Sequence, residues 1–385
     1  MKKILLLGAG YATMSFIKSI DNAYFKKAEF TLINPYDYHY HTVLLHKVAA
    51  FGEDVRFKFS EILPKEIKVI QDKVLEITSD GVITKNATFS GFDYIISGLG
   101  FSSESFGIKG VGEYALNLTD YESGLRIHQH IKSKIEQYLQ DRDENNLRFI
   151  VCGGGLTGVE LASEMALSIK KQSERLGIPS SKIKIFIIEA MPSIIPMFAK
   201  SLIAKAYKRL ESLGVEVRDN SKILECFKDG IRIDNNGNEV KITANTIIWT
   251  AGVKGNEVIQ KSFPKSIKSK IEVNSEFLPL DNSTRKHFFI GDNCALKDTH
   301  TGTFYPATAQ VTIQQGRFLA KHFPAILNGE KITDNFSYKM VASFCSLGDG
   351  YAIGELFGIR FSGRIASFFK SLIEWLWKNR IQAGF

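Results

Sequence analysis

The chain has 385 residues, 44% hydrophobic and 23% charged, proportions that exclude a disordered or disulfide-stapled protein and allow two domains plus a tail. Its four cysteines, Cys152, Cys226, Cys294 and Cys345, form no C-x-x-C pair, which argues against a secreted disulfide framework or a zinc site and suits a reducing cytosol. The formal charge of +8 favours an anionic partner. No helix-turn-helix, finger or RNP pattern supports nucleic acid, so a nucleotide or an anionic lipid surface is the better expectation.

The opening "MKKILLLGAG" places a short apolar run directly before a glycine turn, and reads as a buried first strand rather than a signal peptide. Gly8 and Gly10 occupy two positions of a G-x-G-x-x-G turn, with Thr13 at the third and Asn34 where an acid would end the next strand. Asn34 can still hydrogen-bond a ribose hydroxyl, without charge. The following "NPYDYHYHTVLLHKVAAF" carries His39, His41 and His46. With no companion cysteine or carboxylate pattern, they read as packing beside a cofactor rather than as metal ligands. Alternating strands with Asp-Gly turns then lead into "YIISGLG".

The same order recurs from residue 147. "LRFIVCG" enters "GGGLTGVELASE", then "IKIFIIEA", a meander with Asn-Gly, and "TIIWTAG". Here Gly153, Gly155 and Gly158 fill every glycine position: one for the tight turn, one for close approach of a pyrophosphate, one for helix–strand packing. The helix N-terminus behind them offers unpaired N–H groups and a positive dipole end. Glu189 closes the next strand, where a carboxylate accepts both adenine-ribose hydroxyls and repels a 2′-phosphate, predicting NADH over NADPH. Cys152, in the strand before Gly153, reads as core.

A duplicated pattern of this length predicts an α/β protein of two doubly wound, Rossmann-like domains, the second inserted in the first. The expected division is residues 1–115 with 248–325 for the first, 116–247 for the second, and 326–385 for a C-terminal region. "HFFIGDN" reads as a returning strand of the first domain, placing Asp292 at the sheet edge where ligands bind in open α/β folds.

Pro306 and Thr308 predict a helix starting near Ala309. Gln310 and Gln314, four apart, share a face of it, and each amide carries both donors and an acceptor. From Gly363 the tail reads as an amphipathic helix with Ile365, Phe368, Phe369, Leu372, Ile373 and Leu376 on its apolar face. Arg364, Ser367, Ser371, Glu374 and Lys378 form the opposite stripe, and Trp375 and Trp377 fall at the two edges, suited to a headgroup layer. Arg380 points into the apolar arc, so the buried part is expected to end before it. Arg360, Arg364, Lys370 and Lys378 would each add ~1 kcal/mol toward anionic lipid. Docking on the protein's own core is the alternative for this helix. No apolar stretch approaches the ~18 residues of a membrane span.

Read in order, both turns, "IIEAMPSIIPMF", "WTAGVKGN", "FFIGDN" and "YPATAQVTIQQGRFLA" resemble the type II NADH:quinone oxidoreductases, single-chain flavoenzymes attached to one membrane face. The resemblance implies FAD in the first domain, held by Gly8, Gly10, Asn34 and Asp292, with the helix end at Ala309 facing the flavin. It implies NADH in the second, held by Gly153, Gly155, Gly158 and Glu189. Glu160, in "TGVE", is similar to the family's glutamate near the nicotinamide–flavin contact, and Gln310 and Gln314 match its A-Q-x-x-x-Q quinone pattern. It further implies two electrons passed from NADH to a membrane quinone in alternating half-reactions, without proton pumping, on the cytoplasmic face of the membrane. A homodimer is compatible with this. Thr13 and Asn34 depart from the pattern and bear on the tightness of FAD. Two rival readings are a sulfide:quinone oxidoreductase, which needs redox cysteines near the flavin, and a non-catalytic nucleotide-binding redox sensor.

Overall fold

Strand Lys2–Leu7 is apolar after its two lysines and buried over its last four residues, as expected of a central parallel strand covered on both faces. It pairs in parallel with Ala28–Asn34 on one side and Tyr94–Ser97 on the other. Lys68–Gln71 and the returning His287–Phe289 complete the two edges of a five-stranded parallel sheet. The computed structural model describes residues 1–281, 283–332 and 334–383. In it, Arg148–Cys152 is the centre of a second parallel sheet of the same plan. Its neighbours are Lys184–Ile188 and Thr246–Trp249, and its edges Val215–Arg218 and Leu116–Asn117. Each unit also carries a three-stranded antiparallel meander, Val74–Phe89 in the first and Ser221–Thr243 in the second. The second meander turns at Asn236 and Gly237, both at positive φ, the conformation that a two-residue hairpin of this hand demands.

Two strands tie the units together. Phe101–Ser103 leaves the first unit antiparallel to Val253–Gly255, which returns to it. The cores also interlock. Leu45, Val48 and Ala49, in the helix Leu45–Phe51, join the second core together with Cys345 and Ile353 of a C-terminal antiparallel sheet, residues 342–363. Trp377 and Ile381, of the last helix Arg364–Gln382, join the first core instead.

The helix Tyr11–Ile17 behind the first glycine turn packs on Ala309–Leu327 in direct backbone contact. A Cβ at Gly316 would lie 2.2 Å from the Ala12 carbonyl oxygen. The departure at Thr13 has an equally local cause. In the second unit a Cβ on Gly158, the third glycine, would lie 1.9 Å from the Gly153 carbonyl oxygen and 2.8 Å from Oγ1 of Thr250, at the end of the crossing strand. In the first unit the sizes are exchanged: Thr13 on the helix faces Gly98 on the strand, and a Cβ at Gly98 would lie 2.3 Å from Thr13 Oγ1. At this contact the small residue has moved from the helix to the strand.

The exchange predicts strong coupling between the two positions. Gly98→Ala alone should destabilise by about 1–3 kcal/mol through overpacking. In a Thr13→Ala background, where the clashing oxygen is gone, most of that loss should vanish. Urea unfolding of the four proteins measures this, and additive effects would contradict the exchange.

Candidate active site

Both glycine turns are braced at one residue. In the second, the Gly154 N–H donates to Glu189 Oε2 at 2.6 Å and its carbonyl accepts from the Ile195 N–H at 2.8 Å. In the first, the Ala9 N–H donates to Asn34 Oδ1 at 3.0 Å, and its carbonyl is held by His39 Nδ1 at 2.8 Å. Asn34 also donates from Nδ2 to the Tyr36 carbonyl, so this amide stiffens the turn in the place where the second unit uses a carboxylate. Glu189 accepts from the Met191 N–H as well, and its two oxygens retain lone pairs for ribose hydroxyls.

The glycines divide by role. Gly8, at φ +79°, and Gly153, at φ +107°, need their left-handed conformation and press against backbone of the crossing strand's end. Gly155 presses on nothing: a Cβ there would meet no atom within 4 Å. Packing therefore does not require that glycine, and what it leaves open is an approach to the backbone at the start of helix Leu156–Arg175. Gly10 is nearly as open, with one contact at 3.8 Å. Both are cradles of the kind a pyrophosphate fits.

Asp292 lies in the turn Gly291–Asn293 at the end of the returning strand. Gln315 pins that turn by accepting from the Gly291 N–H at 2.7 Å, and Asn293 Nδ2 bonds the Ser97 carbonyl and hydroxyl. Among the described residues Asn293 Oδ1 is buried with no partner. Asp292 shares a small cavity with Lys270, Tyr305, Thr312 and Gln315. Burial pushes its carboxyl above the ordinary range, against the pull of Lys270. A carboxylate in a cavity that also meets Pro306, Ala307 and Thr312 at the N-terminus of helix Ala309–Leu327 fits a dinucleotide such as FAD, the carboxylate suiting its hydroxyls and the helix end its phosphates. Gln315 was not foreseen, because only Gln310 and Gln314 share the spacing that drew attention.

Glu160 is 6% exposed, not a solvated residue of an early helical turn. Its Oε1 lies 2.8 Å from Lys370 Nζ and accepts from the Ser346 N–H at 2.9 Å; its Oε2 is 3.5 Å from His46 Nδ1. Burial alone would raise its pKa, but Lys370, His46 and Ser346 together outweigh burial and hold it below the ordinary value. Lys370 behaves correspondingly. Burial opposes its charge, yet Glu160 and Glu374, the latter at 3.2 Å, hold its pKa above that of a free lysine. His46 is driven down to about 4 by burial, so it is neutral at pH 7 and its contact with Glu160 is not an ion pair.

Lys370 therefore does not face lipid; two carboxylates hold it inward against the cost of desolvation. Trp377 does not reach a headgroup layer either. It is 6% exposed, with its ring edge-on to Tyr11 at 4.8 Å and its Nε1 3.4 Å from His39 Nε2. Ala366, Lys370, Glu374, Trp377 and Ile381, at helical spacing, form the seated stripe. Arg380 extends it, bonding Ser19 Oγ at 2.8 Å, so the buried part continues past the position where it was expected to end. The helix docks and keeps a second, apolar face outward, which includes Ile365, Phe368, Leu372, Trp375 and Leu376.

Gln310 and Gln314 share the expected face, but their amides are already matched. Gln310 accepts from the Val341 N–H at 2.7 Å and donates to the Ala342 carbonyl. Gln314 pairs with both the N–H and the carbonyl of Lys339. The histidines of the first unit are likewise engaged: His41 bonds the Tyr11 hydroxyl and His39 the Ala9 carbonyl. The four cysteines are separate buried thiols. Burial pushes Cys226 up to about 11 and Cys294 up to about 12, and Cys152 and Cys345 well above the usual value.

Two braced dinucleotide turns on two sheets of one plan define a two-domain FAD/NAD-linked reductase, and the family model for pyridine nucleotide-disulphide oxidoreductases matches residues 2–316. A type II NADH:quinone oxidoreductase of Staphylococcus aureus is 34% identical over 381 residues, 97% of this chain and 94% of the relative. The chain belongs to the type II NADH:quinone oxidoreductase family. Among solved structures, NDH2 from Plasmodium falciparum in complex with NADH superposes with a TM-score of 0.89 at 20% identity, covering 99% of this chain and 96% of that one. The sulfide:quinone oxidoreductase of Aquifex aeolicus gives 0.76 at 17% identity, over 99% and 92%. These two likenesses speak to the fold.

The buried imidazoles make the site acid-sensitive. His39, His41 and His46 are each lowered by burial to about 4, against roughly 6.5 unfolded. Below pH 6.5 the unfolded chain binds protons that the folded chain refuses, so this part of the stability is complete above pH 6.5 and is lost as pH falls toward 4. The expected loss at pH 5 is on the order of 1–2 kcal/mol per imidazole. It should appear as a lower urea midpoint than at pH 7.5, with net proton uptake on unfolding.

Proposed function

We propose that this protein oxidises NADH and passes two electrons through FAD to a membrane quinone, in alternating half-reactions and without proton pumping. One observation carries the reading. Two separately braced dinucleotide turns stand on duplicated sheets, and the helix behind the second delivers Glu160 to a buried contact with Lys370 of the C-terminal helix.

When bound, FAD supplies the two-electron centre that takes a hydride and gives electrons to quinone. The residues around it orient and select. Gly8 shapes the first turn and Gly10 opens it to a pyrophosphate, with Asp292 placed to meet the hydroxyls beyond it. Gly153 shapes the second turn, Gly158 lets its helix pack closely and Gly155 opens it to NADH, while the Glu189 carboxylate would accept the ribose hydroxyls and disfavour a 2′-phosphate. Glu160 is kept ionised, with Oε1 already accepting from Lys370 Nζ and the Ser346 N–H, so near the nicotinamide–flavin contact it would act as a fixed negative charge rather than a proton donor. Gln310 and Gln314 would exchange the backbone groups of Lys339, Val341 and Ala342 for the carbonyls and hydroxyls of the quinone–quinol pair. The sulfide reading finds less support, since all four thiols are buried and raised out of the reactive range.

We place the protein on the cytoplasmic face of the membrane, held peripherally. No described helix is long and apolar enough to cross a bilayer. The outer face of the last helix, with Phe368 at 63% exposure and Trp375 at 55%, lies in the same region as Phe357, 75% exposed at a hairpin turn that leads into the helix. Such apolar exposure rimmed by Arg360 and Arg364 suits an anionic lipid surface.

Anaerobic stopped flow tests the chemistry. NADH should bleach the bound flavin, NADPH should do so at least tenfold less efficiently, and a short-chain quinone should restore the colour. Bleaching by sulfide but not NADH, or NADH oxidation that quinone does not accelerate, would refute the assignment. For the membrane, a Phe368→Ser/Leu376→Ser variant should sediment with anionic vesicles several-fold less than wild type, while keeping its rate with a water-soluble quinone. Unchanged sedimentation would remove the lipid surface.

A further inference from the structure

The two turns differ in one respect that the duplication makes visible. Each is fixed by holding both the N–H and the carbonyl of its first x residue, Ala9 or Gly154. In the second unit the carbonyl is held by backbone of the same unit, the N–H of Ile195 at 2.8 Å. In the first unit it is held by a side chain, His39 Nδ1 at 2.8 Å. A carbonyl only accepts, so Nδ1 must carry the hydrogen and Nε2 must be the bare acceptor. The donor facing Nε2 is the indole N–H of Trp377, 3.4 Å away, on the last helix of the described chain. The same indole packs edge-on against Tyr11, the residue that follows Gly10, at 4.8 Å and against the His39 ring at 5.9 Å. Neither ring has solvent to replace this partner: His39 is 1% exposed.

We propose that Trp377 is a positioning residue for the first dinucleotide, fixing the tautomer and orientation of His39 that hold the Ala9 carbonyl and so aim the Gly8–Gly10 turn at FAD. The brace on the FAD turn thus reaches the C-terminal helix through His39 and Trp377, whereas the bracing bonds of the NADH turn, from Glu189 and Ile195, are made within its own unit. This rests on the assignment of FAD to the first unit.

The chain of contacts has a selective signature. Trp377→Phe keeps an aromatic ring against Tyr11 and removes only the donor. His39→Asn keeps a donor at the position of Nδ1 and removes the acceptor that Trp377 serves. FAD affinity is read on the full-length deflavinated chain by quenching of FAD fluorescence, and NAD⁺ affinity by calorimetry. Trp377→Phe should weaken FAD roughly fivefold, the worth of one hydrogen bond, and leave NAD⁺ within a factor of two. In a His39→Asn background the same change should weaken FAD less than twofold. The proposal is overturned if Trp377→Phe binds FAD like wild type. It is equally overturned if FAD and NAD⁺ are weakened alike, which marks general support of the fold, or if the penalty persists without His39. A wild-type chain that takes up no FAD would instead overturn the function itself, before any variant is compared.

Discussion

A charged lysine in a protein interior must be paired or it will not stay there. Lys370, with Glu160 on one side and Glu374 on the other, meets that condition, and the arrangement of the C-terminal region follows from it. Glu160 belongs to the second unit's nucleotide helix, whereas the helix carrying Lys370 buries Trp377 and Ile381 in the first unit's core. One ion pair therefore links elements that otherwise belong to different cores. Removing either partner would leave the other desolvated and unmatched, a loss larger than the pair's net contribution to stability. The pair also fixes the rotation of the helix about its axis. With Lys370 inward, Ile365, Phe368 and Leu372 must face out.

That rotation could not be read from the pattern of apolar residues. An amphipathic helix with one wet face and one buried face has a single answer. This helix has one side packed against protein and a second, apolar side left exposed, and its periodicity shows only the more apolar of them. The protein-facing stripe reads as mixed in the sequence, since its members are an alanine, a lysine, a glutamate, a tryptophan and an isoleucine. Lys370 and Glu374 stand four apart and resemble any solvated helical pair. Nothing local distinguishes them, because the decisive partner is Glu160, more than two hundred positions away.

Other parts were legible for clear reasons. Both glycine turns, the meanders and the returning strand before Asp292 follow from local spacing, and the duplication allowed each copy to interpret the other. The same comparison explains Thr13. Set against a motif it is a defect; set against Gly98 and the Gly158–Thr250 contact it is a conserved pair volume with the small partner exchanged. The glutamines mark the opposite case. Their spacing correctly puts Gln310 and Gln314 on one face, but an amide satisfied by the peptide of Lys339 and one free to meet a ligand look identical in a sequence.

The two faces of the last helix have a joint consequence. Its inner face holds Trp377 against His39 and Tyr11; its outer face carries the exposed apolar residues. Both belong to one rigid element, so any surface that binds the outer face better when the helix is seated must stabilise the seated inner contacts by the same free energy. The converse holds too: whatever tightens the Gly8–Gly10 turn favours the seated helix, and with it the orientation in which the outer face is presented. A surface indifferent to seating would transmit nothing, however strongly it bound. If a lipid surface takes the outer face, as proposed, the hold on that surface and the hold on the nucleotide become one equilibrium, joined through Trp377 and His39.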